Sequence, residues 1–178
     1  MKRLLPLLPI LAAAVVAASA AFADEGQSQG KGPAQLCKTE LATLGPANFK
    51  SLYAPGGTGA NAMGKCVSKH AHAAAVNRTN AAKACKAEME LPEAQFRATH
   101  GGMSFAEFYG KNKNDRNAYG KCVSSKAHAA NEQAEAATMN AARACKAERA
   151  AGAAAFTAKY GGKASAFGKC VSSKRKKQ

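Results

Sequence analysis

The chain has 178 residues, with 26 basic side chains against 11 acidic ones, a net charge of +15 and no tryptophan. Its hydrophobic fraction of 47% contains much alanine. Beyond Ala23 there are only 15 Leu, Val and Phe residues and no Ile, which excludes a fold held by apolar burial alone.

The chain opens with "MKRLLPLLPILAAAVVAASAAFA". A basic start at Lys2 and Arg3, an apolar run from Leu4 to Val16 and small residues before Asp24 describe a secretory signal peptide over residues 1–23, cut after Ala23, with Ala20 as second choice. Loss of Lys2 and Arg3 lowers the net charge from +15 to +13, which still favours anionic partners. No later segment has the roughly 18 apolar residues of a membrane span, so the mature chain is expected to be secreted, extracellular or cell-envelope associated, with no transmembrane segment. A leader over residues 24–32 is expected to be disordered.

The rest of the chain repeats itself. Three units open with Cys-Lys-x-Glu at Cys37, Cys85 and Cys145. Each continues with Phe and Tyr four apart (Phe49 and Tyr53, Phe105 and Tyr109, Phe156 and Tyr160) and closes with Gly-Lys-Cys-Val-Ser around Cys66, Cys122 and Cys170. Unit 1 spans 33–69, unit 2 spans 80–126 with an insertion from Leu91, and unit 3 spans 140–174. Linkers fill 70–79 and 127–139, and a basic tail, 175–178, ends the chain.

Five of the six cysteines lie five residues after Asn61, Asn80, Asn117, Asn140 or Ser165, and Cys37 lies five after Gly32, which precedes Pro33. Asn and Ser are preferred N-caps, and Pro favours the first helical position, so each cysteine is placed in the second turn of a helix. Each unit then has helix A with Cys-Lys-x-Glu, helix B with Phe-x-x-x-Tyr, a glycine-rich turn, and helix C with Gly-Lys-Cys-Val.

With A up, B down and C up, the two cysteines of a unit meet at one end. Six cysteines allow 15 pairings, and spacing alone does not prove 37–66, 85–122 and 145–170. The main rival joins Cys66 to Cys85 and Cys122 to Cys145 along mostly helical sequence, up to about 28 to 35 Å, whereas a disulfide needs Cα atoms within about 7 Å. The expected core is the cysteine pair, the Phe and Tyr of helix B, Val67, Val123 or Val171, and Met63, Tyr119 or Phe167. The linkers are Ala-rich and lack large apolar residues. They read as exposed helices, with Asn80 and Asn140 as candidate breaks.

Several residue sets suggest chemistry. His70 and His72, with His128 in the second linker, suggest a metal. Residues two apart face different sides of a helix, however, and no carboxylate or thiolate stands near in sequence, so no metal ligand is assigned. No Cys-x-x-Cys occurs, so neither zinc nor any other cofactor is expected. Glu40, Glu88 and Glu148 recur and read as surface or helix-pairing groups. Ser68, Ser124 and Ser172 recur without a repeated histidine to activate them, so no catalytic residue is named.

The repeated cations are the most suggestive set: Lys38, Lys86 and Lys146 after the first cysteines, Lys65, Lys121 and Lys169 before the second, then Lys174, Arg175, Lys176 and Lys177. Stacked units would align them as a stripe for phosphate or carboxylate polymers. The aromatic residues look committed to the core, which argues against sequence-specific nucleic-acid readout.

The strings "CKAERAAGAAAFTAKYGG" and "AFGKCVSSK" resemble a repeat of secreted, alanine-rich, cysteine-containing proteins of actinobacteria. The resemblance covers about Gln35 to Lys174, departs at the insertion in unit 2, and implies export and repetition without an activity. The expectation is an all-α protein of three disulfide-stapled helical repeat units joined by Ala-rich helical linkers. Its expected role is a non-enzymatic structural or polyanion-binding module whose partner is an anionic polymer or the envelope surface. A membrane-active cationic factor is the alternative, and an extracellular hydrolase a distant third.

Overall fold

A computed structural model describes residues 31–56, 59–110, 116–162 and 164–177. The signal peptide and most of the leader lie outside the described residues. Among the described residues the chain is all-helical, without strands. The helices are α1 (Pro33–Leu44), α2 (Pro46–Tyr53), α3 (Ala62–Met89), α4 (Glu93–Thr99), α5 (Phe105–Tyr109), α6 (Ala118–Ala151), α7 (Ala153–Tyr160) and α8 (Ala166–Arg175).

The three bonds are Cys37–Cys66, Cys85–Cys122 and Cys145–Cys170, with Cα separations of 5.9, 6.0 and 6.0 Å. The rival pairing is excluded because Cys66 and Cys85 share α3 while Cys122 and Cys145 share α6. By loop-closure entropy, bridges over 25 to 37 residues stabilise by roughly 3 to 4 kcal/mol each.

Two expectations about the helices are corrected. The linkers are not broken at Asn80 or Asn140: α3 and α6 run unbroken for 28 and 34 residues. Each fuses helix C of one unit to helix A of the next, because Ala-rich sequence carries helix onward at little entropic cost. Cys85 and Cys145 therefore lie toward helix C-termini, and only Cys37, Cys66, Cys122 and Cys170 lie in second turns. Asn61, Asn117 and Ser165 do precede helices, although none makes a side-chain capping bond.

Helices A and C of the middle unit also do not run up and up. Cys85 is bonded to Cys122, and Asn77 Nδ2 donates to Asn131 Oδ1 at 2.7 Å. Moving back along α3 thus moves forward along α6, which makes the two helices an antiparallel hairpin. Ala81 and Ala127 are buried in the same cluster between these two levels, where small side chains let the backbones approach.

Unit 2, with α4 and α5, sits where the hairpin turns. Units 1 and 3 meet at its open end. Leu44 of α1 is buried in the cluster of Met139, Ala142, Phe156, Phe167 and Val171, with Leu52 of α2 packed against it. A Cβ added to Gly168 of α8 would stand 3.3 Å from the Ser51 carbonyl oxygen, so a glycine permits the close approach. Gly45, with φ of 78°, turns the chain between α1 and α2.

The expected core is largely observed: Phe49, Tyr53, Phe156, Phe167, Val123, Val171 and all six cysteines are buried. In unit 2 the pattern shifts, since Phe105 is only partly buried and Phe96 from the inserted α4 is buried in its neighbourhood, at ring centroids 5.5 Å apart. Tyr119 is exposed, its hydroxyl donating to the Ala82 carbonyl at 3.1 Å. The basic tail begins inside α8, which extends through Arg175.

Candidate anion-binding cleft and the glutamates beside the disulfides

In an α-helix the Cα–Cβ bonds lean toward the N-terminus, so a residue three after a cysteine shares its face and reaches back to it. Glu40, Glu88 and Glu148 do this in all three units, so of their two readings, surface groups or helix-pairing groups, the second holds. The hydroxyl of Tyr53 donates to Glu40 Oε2, Tyr109 to Glu88 Oε2 at 2.9 Å, and Tyr160 to both Glu148 oxygens at 3.2 Å. The residue four after the closing cysteine supplies a basic nitrogen to the same carboxylate: His70 Nε2 at 2.9 Å, Lys126 Nζ at 2.9 Å and Lys174 Nζ at 3.0 Å.

The Phe-x-x-x-Tyr spacing gives the same ring pair each time, with centroids 4.9 Å apart, and so delivers the tyrosine to the same place. Glu40 is fully buried, while the side chains of Glu88 and Glu148 retain 24% and 27% exposure.

These contacts move the acidities. Hydrogen bonds from Lys159 and Lys174 hold the Glu148 carboxyl at about 2. At Glu88 burial pulls upward, but hydrogen bonds from Lys126 and Tyr109 outweigh it and leave the carboxyl below its ordinary value. Burial first, then the bond to Glu40, pushes the Tyr53 hydroxyl well above the usual tyrosine range.

The cations named from sequence divide into three groups. Lys174 is half-buried and held by Glu148, so it is not free for a ligand. Lys38, Lys65, Lys86, Lys121 and Lys146 are exposed, and Lys86 lies 3.8 Å from Glu90. Lys169, Lys176 and Lys177 converge with Lys69, a residue the sequence reading did not single out, along a cleft of about 620 Å³ between α8 and unit 1. Leu52, Pro55, Gly168 and the hydroxyl-bearing Ser165, Ser172 and Ser173 complete its lining, which among the described residues contains no acidic one.

Arg175 stands close by and, with Lys69, lines a neighbouring cavity of about 780 Å³ between unit 1 and the hairpin. Partial desolvation and then repulsion from Arg175 hold the Lys69 ammonium below its ordinary pKa. Lys169, Lys176 and Lys177 are gathered with Lys69 because the hairpin brings units 1 and 3 side by side.

Ser124, His128 and Glu132 line the larger cavity at four-residue spacing on α6. His128 Nδ1 is 3.3 Å from Glu132 Oε2.

Among the described residues, no helix is long and apolar enough to cross a membrane. No family model, curated protein or solved structure matches this chain.

Proposed function

We propose that this is an exported, non-enzymatic cationic repeat protein that binds a linear polyanion of phosphate or carboxylate groups at the cell envelope, through the cleft between units 1 and 3. The observation that carries the reading is the convergence of Lys69, Lys169, Lys176 and Lys177 on a cleft without an acidic wall residue among the described ones. Like charges held together by a disulfide-locked scaffold repel one another, and an anion laid between them relieves that repulsion. Burial first, and then repulsion from Arg175 beside the cleft, lowers the Lys69 pKa. Serine hydroxyls along the cleft offer donors to phosphate or carboxylate oxygens.

The test uses long-chain inorganic polyphosphate as probe. Lys69→Gln, Lys169→Gln, Lys176→Gln and Lys177→Gln are combined in one variant. A second variant loses the same charge by Lys38→Gln, Lys65→Gln, Lys121→Gln and Lys146→Gln. Binding is titrated across a salt series. The cleft variant is expected to weaken binding and to lower the slope of log affinity against log salt by about 3 for a flexible strand, while the control stays near wild type. Equal losses in both would reduce the effect to net charge and remove the cleft.

A membrane-active role rests on exposed Met89, Leu91, Met103 and Phe108 in unit 2. Glu90, Glu93 and Glu107 stand among them, which opposes docking on anionic lipid, and absence of leakage from anionic vesicles would dispose of it.

A further inference from the structure

Beside each disulfide the glutamate and the tyrosine bonded to it recur, but the basic partner of the carboxylate does not. Units 2 and 3 present a lysine to the carboxylate, Lys126 and Lys174, and unit 1 presents His70. The difference is chemical as well as steric. A lysine ammonium has no lone pair to give, and its charge repels a cation, whereas a neutral imidazole is among the commonest metal ligands.

In unit 1 the Cys37 and Cys66 sulfurs and a ring nitrogen of His70 lie within 4.8 Å of one another. Glu40 stands beside these three, with Oε2 3.7 Å from Cys66 Sγ and Oε1 2.9 Å from His70 Nε2. Cys66 lies only four residues before His70 on α3, a neighbour in the chain that the sequence analysis overlooked, whereas Glu40 reaches the histidine across 30 residues.

We infer that unit 1 is a zinc site masked by its own disulfide: once Cys37–Cys66 is reduced, the two thiolates, His70 and Glu40 bind one Zn²⁺ in a tetrahedral set. The inference is independent of the polyanion reading. Reduction adds two electrons to the sulfur–sulfur bond. With a water-soluble phosphine as reductant, the phosphine becomes the phosphine oxide, water supplies the oxygen, and two thiols result. Zinc binding then releases the two thiol protons.

Two sulfurs, one imidazole nitrogen and one carboxylate oxygen suit zinc, which takes Cys, His and carboxylate ligands in four-coordinate sites. The Cα atoms of Cys37 and Cys66 are 5.9 Å apart, so both sulfurs reach one ion at about 2.3 Å without the helices separating. The donors carry three negative charges, leaving the loaded site at −1 near the cationic Lys69. Tyr53, whose hydroxyl donates to Glu40, holds the carboxylate as an outer partner does in metal sites.

The experiment uses the full mature chain, reduced by phosphine in oxygen-free buffer, given one equivalent of ZnCl₂ and then alkylated with iodoacetamide, the labels being located by peptide mass. Cys37 and Cys66 are expected to stay unlabelled while Cys85, Cys122, Cys145 and Cys170 react. His70→Lys, which gives unit 1 the residue of its sister units, is expected to abolish the protection while still forming three disulfides when oxidised. Labelling at Cys37 and Cys66 despite zinc, equal protection of all six cysteines, or protection that survives His70→Lys each overturns the site. Circular dichroism is recorded on the same samples, and a reduced chain that unfolds and gives no protection overturns it as well.

Discussion

Glu148 shows how one side chain ties a helix, a tyrosine and two lysines together. Tyr160, Lys159 and Lys174 all bond its carboxylate, and it ionises at about 2 against an ordinary 4.5. A depressed carboxylate contributes stability that is present above the unfolded value and is lost as pH falls through the folded one. Stability is therefore expected to decline from about pH 4.5 down to about 2, with Glu88, also shifted downward, adding in the same direction. Glu148→Gln should flatten this acid dependence in denaturant titrations taken at a series of pH values. An unchanged profile would mean that the carboxylate contributes nothing through its charge. Helix pairing was one of two readings of the three glutamates, but their partners were not legible, because each touches a tyrosine 12 to 21 residues away and local spacing says nothing of so distant a partner.

At the level of elements, the cap signals illustrate what a local pattern determines. Asn61 and Asn117 start helices where the described residues just before them, Gly59 and Ala60 in one case and Arg116 in the other, are not helical. Asn80 and Asn140 have the same distance to a cysteine but follow uninterrupted alanine-rich helix, and a residue caps only where a helix begins. The antiparallel contact between α3 and α6, with Ala81 and Ala127 buried and Asn77 bonded to Asn131, then holds both helices through the linkers. Ala75, exposed in the middle of α3, provides the test. Ala75→Pro should cost about 3 kcal/mol or more, by losing a helical hydrogen bond and crowding the preceding turn. Chemical denaturation would read that loss, and a neutral result would mean that the linker is a hinge rather than a rigid strut.

Across the whole molecule, the units are not independent beads. Leu44 is 2% exposed because it enters the apolar cluster of unit 3, beside Met139 and Phe167. Leu44→Ala is accordingly expected to cost about 2 to 5 kcal/mol and to loosen two units at once. Native-state hydrogen exchange should show faster opening in Ala166–Arg175 as well as in Pro33–Leu44, and exchange confined to unit 1 would refute the shared core. This junction also shapes the proposed polymer cleft, since Lys69 comes from α3 and Lys169, Lys176 and Lys177 from α8 and the turn after it.

The sequence by itself determined the helical class and the threefold cassette, and disfavoured the main rival to the cysteine pairing that the structure shows. Those rest on alanine content, on a cassette repeated three times and on the short reach of a disulfide, all of which are local or nearly so. It also determined most of the core, because Phe-x-x-x-Tyr and Cys-Val put apolar groups on single helix faces. Only the tertiary structure decided that the linkers form one antiparallel hairpin, that unit 3 closes on unit 1 and that His70 lies beside Cys37 and Glu40. Those outcomes depend on which faces of distant helices bury each other, and a helix-period pattern fixes a face without naming its partner.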